Sequence, residues 1–234
     1  MPLRNDGRET GPKLLFWKVT FTCQVILFDL DGVLVDSTPA VAQVWNAWAI
    51  QHGLDPKVAV ATAHGRRSIE TIRLLAPHLD AEKENVRVES MEIEAKEGVV
   101  ALPGAADLLH ALPPERFAVV TSATRALALA RLHYAGLPAP ANLVSADDVR
   151  RGKPSPEPYL KGAALLARTP ADCLVFEDVP NGIAAARAAG MQVVAITTTF
   201  AAKDLAGADA RVNSLADVKA EWTSEMISLE LEAF

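Results

Sequence analysis

Short apolar runs that end in polar residues, each followed by a helical pattern, recur along this chain. The run at residues 24–29 (QVILFD) is short, rich in β-branched residues and followed by Asp-Gly turn chemistry, which predicts a buried strand. Similar runs predict further strands at 117–121, 173–177 and 193–196. Strands that alternate with helices, without hairpin turns between them, predict an α/β fold in which helices cover both faces of a parallel sheet.

A stretch with helical patterns and no convincing strand, residues 36–115, interrupts this alternation after the first strand. Val41, Val44, Trp45 and Trp48 fall at i, i+3, i+4 and i+7, which is the spacing of one face of an amphipathic helix. An insertion at this point lies beside the carboxyl edge of the sheet, where open α/β sheets bind ligands. We therefore expect an inserted α-helical cap that covers a ligand site.

These patterns divide the chain into a core, a cap and two terminal segments. The predicted parts are an N-terminal extension (1–22), a core in two segments (23–36 and 101–222), the cap (37–100) and a C-terminal tail (223–234). The extension contains Gly7, Gly11 and Pro12, and we interpret it as loose rather than as a domain. Half of all residues are hydrophobic and 22% are charged, so the chain can bury a core and does not have the composition of a disordered protein.

Charge and composition limit the possible partners. The 23 Lys and Arg residues and the 29 Asp and Glu residues give a formal net charge of −6, which argues against nucleic acid and anionic membrane surfaces as partners. No apolar stretch reaches the ~18 to 20 residues of a transmembrane helix, and the first residues lack a signal-peptide pattern. We therefore expect a cytoplasmic protein in which Cys23 and Cys173 are buried as small apolar side chains.

Two carboxylates, Asp29 and Asp31, leave the end of the first predicted strand two positions apart. Two acids at the end of a buried strand are unfavourable unless a cation or hydrogen bonds compensate, so a hard divalent ion such as Mg²⁺ is a natural partner. The alternative interpretation is that this Asp-x-Asp-Gly segment is only turn chemistry.

Three further segments carry candidate chemistry. Ser122 stands between a strand and a helix, where its hydroxyl could donate to a phosphate oxygen or simply cap the helix. Lys153, held in a loop by Pro154, could neutralise a carboxylate and a phosphoryl group, or could be a solvated surface lysine. Glu177 and Asp178 end another apolar strand, so a parallel sheet could bring them to the first acid pair around one metal ion.

In order and type, these four segments resemble the motifs of the haloacid dehalogenase superfamily, in its phosphatase branch, over about residues 25–217. The resemblance implies a Rossmann-like, doubly wound parallel sheet with an inserted cap, Mg²⁺ as the cofactor and a small phosphate ester as the substrate. It implies that Asp29 is a nucleophile that forms an aspartyl-phosphate, and that Asp31 is the general acid and base. The implied phosphoryl-binding residues are Ser122, Ala123 and Lys153, and the implied Mg²⁺ ligands are Asp29, the backbone carbonyl of Asp31, Glu177 and Asp178.

Single positions separate the reactions of this superfamily. The acid at Asp31 disfavours dehalogenation, and the cap loop HGRRS at residues 64–68 lacks the lysine of phosphonatase-like members. Val41 stands where β-phosphoglucomutase-like members have a histidine that acts on a sugar hydroxyl. The resemblance therefore favours hydrolysis.

The chain is most similar to sugar-phosphate and glycerol-phosphate phosphatases. In the cap, His64, Arg66 and Arg67 are candidate substrate-binding residues, and of the two arginines the resemblance favours Arg67. The expected function is Mg²⁺-dependent hydrolysis of small phosphorylated sugars or polyols by a monomer, with a dimer as the alternative. Two other functions stay open, a phosphosugar mutase and a catalytically idle protein that binds a phosphorylated ligand.

Overall fold

The computed structural model describes residues 17–234, which form eight α-helices and eleven strands. The strands are β1 (Trp17–Cys23), β2 (Val25–Phe28), β3 (Val35–Asp36), β4 (Val100–Ala101), β5 (Phe117–Val120), β6 (Leu143–Val144), β7 (Cys173–Glu177), β8 (Gln192–Ile196), β9 (Ala210–Val212), β10 (Val218–Trp222) and β11 (Ile227–Ala233). The helices are α1 (Thr38–Gln51), α2 (Pro56–Ala63), α3 (Ser68–Leu75), α4 (Ala81–Glu94), α5 (Ala105–Ala111), α6 (Arg125–Tyr134), α7 (Glu157–Leu165) and α8 (Pro180–Ala188). None of these described helices has both the length and the apolar character that crossing a membrane requires.

Six of the described strands form a main sheet in the order β6-β5-β2-β7-β8-β9, and all neighbouring pairs are parallel. Strand β2 lies inside this sheet, where Phe28 pairs with Val119 of β5 and with Phe176 of β7. All four residues of β2 are buried because one layer with α5 and α6 and another with α7 and α8 cover the two faces. This arrangement confirms the predicted α/β fold.

Helices α1 to α4 lie between β3 and β4, two short strands that pair antiparallel where the chain leaves and re-enters the core. The four helices share an apolar cluster, whose largest buried side chains include Trp45, Trp48 and Ile72. The sequence analysis does not predict α2, although its start carries the usual signals. The Asp55 side chain caps the helix and Pro56 occupies the first turn.

The structure differs from the prediction at both ends of the described chain. Strands β1 and β11 pair antiparallel over seven residues and form, together with β10, a second sheet that we call the terminal sheet. Residues 17–22 of the predicted loose extension and residues 227–233 of the predicted tail are therefore strands, while residues 1–16 lie outside the described residues. In β11 the fully buried Ile227, Leu229 and Leu231 alternate with polar residues. This period of two is the strand signal that the prediction of a tail overlooked.

Candidate active site

The predicted acids meet at the carboxyl edge of the main sheet. Asp29 directly follows β2, Glu177 is the last residue of β7 and Asp178 follows it, so the parallel register brings these residues to one level. One carboxylate oxygen from each residue lies within 4.8 Å of those from the other two, and all three residues are buried. Lys153 reaches the same place from the loop before α7. The structure thus brings Asp29, the second predicted acid pair and the predicted lysine together.

Lys153 is the positive charge at the centre of this group. Its Nζ donates hydrogen bonds to Asp29 Oδ1 over 2.7 Å, to Glu177 Oε1 over 2.6 Å and to the backbone carbonyl of Val120 over 3.2 Å. Burial lowers the pKa of Lys153, but the charges and hydrogen bonds of the two carboxylates outweigh it and hold the pKa above the ordinary value. Only 2% of the side chain is exposed, so this ammonium is held in one position.

Glu177 is saturated with hydrogen bonds from the protein. Oε1 accepts from Lys153 Nζ and from the Tyr159 hydroxyl over 2.6 and 2.7 Å. Oε2 accepts from the backbone N–H groups of Asp178 and Val179 over 3.0 and 3.2 Å. A carboxylate has about four acceptor directions, and all of them are used here.

Asp29 and Asp178 have spare acceptor capacity in a crowded negative environment. Burial raises the pKa of Asp29 to about 7. The charge of Lys153 lowers this pKa only in part, and the charge of Glu177 raises it further. Burial, followed by the charges of Glu177 and Asp29, raises the pKa of Asp178 well above its ordinary value. Within residues 17–234, Asp178 Oδ1 is buried without a hydrogen-bond partner. A hard divalent cation supplies both the charge and the oxygen contacts that this group lacks, so the residues present fit Mg²⁺.

The Asp31 carboxylate lies beside this group on the turn that follows β2. Ser37 Oγ donates to Oδ1 over 2.6 Å, and Arg131 Nη1 donates to Oδ2 over 2.7 Å. The turn depends on Gly32, which has a φ of 83° and lacks a side chain where the Asp178 carboxylate lies. Asp31 is therefore oriented by two donors while 28% of its side chain stays exposed.

Sequence reasoning missed Arg131 of α6 and Glu92 of the cap helix α4, which line the same cavity as Asp31. Arg131 Nη2 and Glu92 Oε1 are 3.3 Å apart, and the two residues are 6% and 5% exposed. Burial raises the pKa of Glu92, and the charge of Arg131 opposes this shift. The signal was available in the sequence, because Arg131 falls on the buried face of α6 together with Leu127 and Leu132, where an unpaired arginine is unfavourable.

The cap loop closes over the sheet edge and bounds a cavity of about 60 Å³. His64 Nδ1 bonds to the Val60 carbonyl over 2.8 Å, while its Nε2 is buried and has no hydrogen-bond partner in the described part of the chain. Arg66 lines the cavity. Arg67 instead donates to the Arg150 carbonyl over 3.2 Å and packs beside Gly152. The structure therefore turns Arg66 toward the cavity, and not Arg67, which the resemblance favoured.

Ser122 and Ala123 line the cavity from the core side. Ser122 Oγ donates to the carbonyl of Gly65 in the cap loop over 3.2 Å. The backbone N–H of Ala123 donates to Thr121 Oγ1 over 3.0 Å. The Ser122 hydroxyl is thus placed between the core and the cap, and the Ala123 amide is already occupied within its own turn.

Comparisons with known proteins agree with this geometry. The family described as haloacid dehalogenase-like hydrolase matches residues 23–190, a range that contains every acid and lysine of the site. Hexitol phosphatase A of Escherichia coli (strain K12) is 42% identical over 201 residues, which cover 84% of this chain and 93% of that protein. Glycerol-1-phosphate phosphohydrolase 2 of Saccharomyces cerevisiae (strain ATCC 204508 / S288c) is 38% identical over 187 residues, which cover 74% of each. The solved structure of β-phosphoglucomutase from Clostridium difficile has a TM-score of 0.72 at 23% identity, covers 84% of this chain and 93% of its own, and is alike in fold alone.

Proposed function

The chain belongs to the haloacid dehalogenase-like hydrolases, and on this basis we propose that it is a Mg²⁺-dependent phosphatase of small polyol or sugar phosphates. The names of two relatives, hexitol phosphatase A and glycerol-1-phosphate phosphohydrolase 2, support this substrate class. The observation that carries the proposal is the buried contact between Lys153 and Asp29, beside Asp31 at one sheet edge. Through this contact, Lys153 offers one positive charge to both an anionic nucleophile and an anionic phosphate.

In the proposed reaction, the Asp29 oxygen that Lys153 does not contact attacks phosphorus. An aspartyl-phosphate forms while the ester P–O bond breaks. Protonated Asp31 gives its proton to the leaving oxygen, so the alcohol departs neutral. Asp31 then takes a proton from a water molecule that attacks the aspartyl-phosphate at phosphorus. Inorganic phosphate leaves, and both carboxyl groups return to their starting states.

The residues that would hold Mg²⁺ are Asp29, Asp178 and the backbone carbonyl of Asp31. When bound, the ion supplies positive charge to the phosphoryl oxygens. Glu177 was also predicted as a ligand, but its oxygens already accept four hydrogen bonds, which supports a different role. We propose that Glu177 positions Lys153, and that Lys153 binds the phosphoryl group.

The side chain at position 41 favours hydrolysis over a phosphosugar mutase reaction. Val41 lines the cavity and is 8% exposed, so it presents apolar surface at this place. A mutase needs a group that exchanges a proton with the sugar hydroxyl that receives the phosphoryl group, and valine has none.

The test measures phosphate release from glycerol 1-phosphate and from a hexitol 6-phosphate, with Mg²⁺ and after its removal by EDTA. Asp29→Asn is expected to lower kcat/KM by at least about 10³-fold because the nucleophile is lost. Asp107, an exposed acid on α5, offers a matched control, and Asp107→Asn should keep wild-type activity. Undiminished hydrolysis by Asp29→Asn, or in EDTA, would contradict the proposal.

A further inference from the structure

A buried ion pair forms one wall of the cavity, and neither of its side chains makes or breaks a bond or transfers a proton in the reaction described above. Glu92 comes from the cap and Arg131 from the core, and both line the cavity that contains Asp29 and Asp31. Neither side chain is among the residues proposed above to hold phosphate or metal. Two opposite charges buried against a substrate cavity are costly to desolvate unless further hydrogen bonds satisfy them, and a bound ligand can supply such bonds.

Arg131 has donors to spare. Its Nη1 donates to Asp31 and its Nη2 to Glu92, whereas its Nε is buried and lacks a hydrogen-bond partner among residues 17–234. Arginine carries five N–H donors and no acceptor, and an ionised carboxylate has only acceptors. A hydroxyl group is both donor and acceptor, so this pair can satisfy it completely.

The position of the pair relative to Asp31 defines which hydroxyl it can reach. In the proposed reaction Asp31 protonates the leaving oxygen, and Arg131 Nη1 is 2.7 Å from the Asp31 carboxylate. The guanidinium therefore lies next to the first carbon atoms of the leaving alcohol. The neighbouring cavity wall includes Val41, Trp45 and Leu127, which present mainly apolar surface. Glu92 and Arg131 thus bring formal charges to a cavity that these apolar side chains also line.

We propose that Arg131 and Glu92 form a subsite for the hydroxyl group on the carbon next to the phosphorylated carbon. The subsite selects polyol phosphates over phosphate esters whose leaving groups are apolar. This inference rests on the proposed phosphatase function and adds the part of the substrate that is recognised. Charge-assisted hydrogen bonds are stronger than neutral ones, and an analogue without the hydroxyl leaves buried polar groups unpaired.

The experiment compares glycerol 1-phosphate with propyl phosphate, which has the same carbon chain and no hydroxyl groups. The readout is the ratio of the two kcat/KM values in wild type, Glu92→Gln and Arg131→Lys. Wild type should prefer glycerol 1-phosphate by at least about 10-fold, and each variant should lower that ratio by about 10-fold or more. Glu94, an exposed residue two positions further along α4, supplies the control, and Glu94→Gln should leave the ratio unchanged.

The ratio separates substrate recognition from other roles of the pair. If Arg131 only orients Asp31, or if a variant is partly unfolded, both substrates lose activity alike and the ratio stays at the wild-type value. A ratio within about 2-fold of wild type in both variants, or no preference in wild type, would overturn the subsite. Failure of wild type to release phosphate from either ester would instead contradict the proposed function itself.

Discussion

Replacing Glu177 by glutamine tests whether Glu177 positions Lys153 or binds the metal ion. Glutamine keeps one acceptor oxygen and replaces the other with an NH₂ group, so two of the four hydrogen bonds are lost. If the amide faces Lys153 and Tyr159, the loss is one hydrogen bond to a charged donor and one to a hydroxyl. These two hydrogen bonds contribute about 1.5 to 3 and 0.5 to 1.5 kcal/mol, so their loss costs about 2 to 4.5 kcal/mol.

The Mg²⁺ dependence of activity decides between the two roles. Glu177→Gln should lower kcat/KM because Lys153 is held less firmly. The Mg²⁺ concentration that gives half-maximal activity should rise by no more than about 10-fold, which is the smallest effect typical of residues that support metal ligands without binding the metal. Asp178→Asn is the matched variant, because Asp178 Oδ1 lacks a hydrogen-bond partner among the described residues. It should raise that concentration by at least about 100-fold.

Thermal unfolding provides a readout that does not depend on catalysis. An ion at 100 times its dissociation constant stabilises the folded state by about 2.7 kcal/mol, so Mg²⁺ should raise the Tm of wild type and of Glu177→Gln but not of Asp178→Asn. Tyr159→Phe removes one hydrogen bond to Glu177 without changing charge and should leave the Mg²⁺ dependence as in wild type. If Glu177→Gln weakened Mg²⁺ binding as much as Asp178→Asn, Glu177 would be a ligand and our assignment would be wrong.

Three further predictions test the turn, the cap and the terminal sheet. Gly32→Ala should abolish activity, since its Cβ would collide with the Asp178 carboxylate, whereas Gly53→Ala, also at positive φ but in open space, should cost about 1 to 2 kcal/mol and keep activity. Burial raises the pKa of Glu84, but hydrogen bonds from Trp48 and His52 outweigh it and lower the pKa below its ordinary value, so ionised Glu84 stabilises the cap more than protonated Glu84. Glu84→Gln should therefore lower Tm at about pH 7, and equal losses at pH 7 and at about pH 3 would contradict this reasoning. Leu229→Ala should cost about 2 to 5 kcal/mol in urea unfolding, whereas a change in a loose tail would cost almost nothing.

The meeting of acids at strand ends was predictable from the sequence, whereas the contact between two charges on separate helices was not. Asp29 and Asp178 follow apolar runs, and parallel strands share an edge, so the sequence implied their meeting without knowledge of any loop. Glu92 and Arg131 lie on helices of different parts of the chain, and their contact depends on how the cap sits on the core. Sequence periodicity shows which face of a helix is buried but does not show which charge faces it.

The choice between Arg66 and Arg67 shows the same limit at a finer scale. Both residues stand in the short loop before α3, and a resemblance between sequences favours Arg67. In the structure Arg67 is the N-cap residue of α3, and its side chain runs back to the Arg150 carbonyl, while Arg66 faces the cavity. The direction of a loop side chain depends on its exact backbone angles and on its tertiary partners, which neighbouring sequence does not specify.

The charges at the sheet edge explain how an acidic protein can offer a site to a phosphate ester. Asp29, Glu177 and Asp178 carry three formal negative charges when ionised, and Lys153 carries one positive charge, so the buried group has a formal charge of −2. Such a group repels phosphate, and a single lysine cannot reverse its sign. One divalent cation would bring the formal charge to zero and add its own positive field toward the cavity, where Lys153 contacts Asp29, the proposed nucleophile. With that cation bound, the field that a phosphate meets would be set by the metal ion and Lys153, and the net charge of −6 on the whole chain would not decide it.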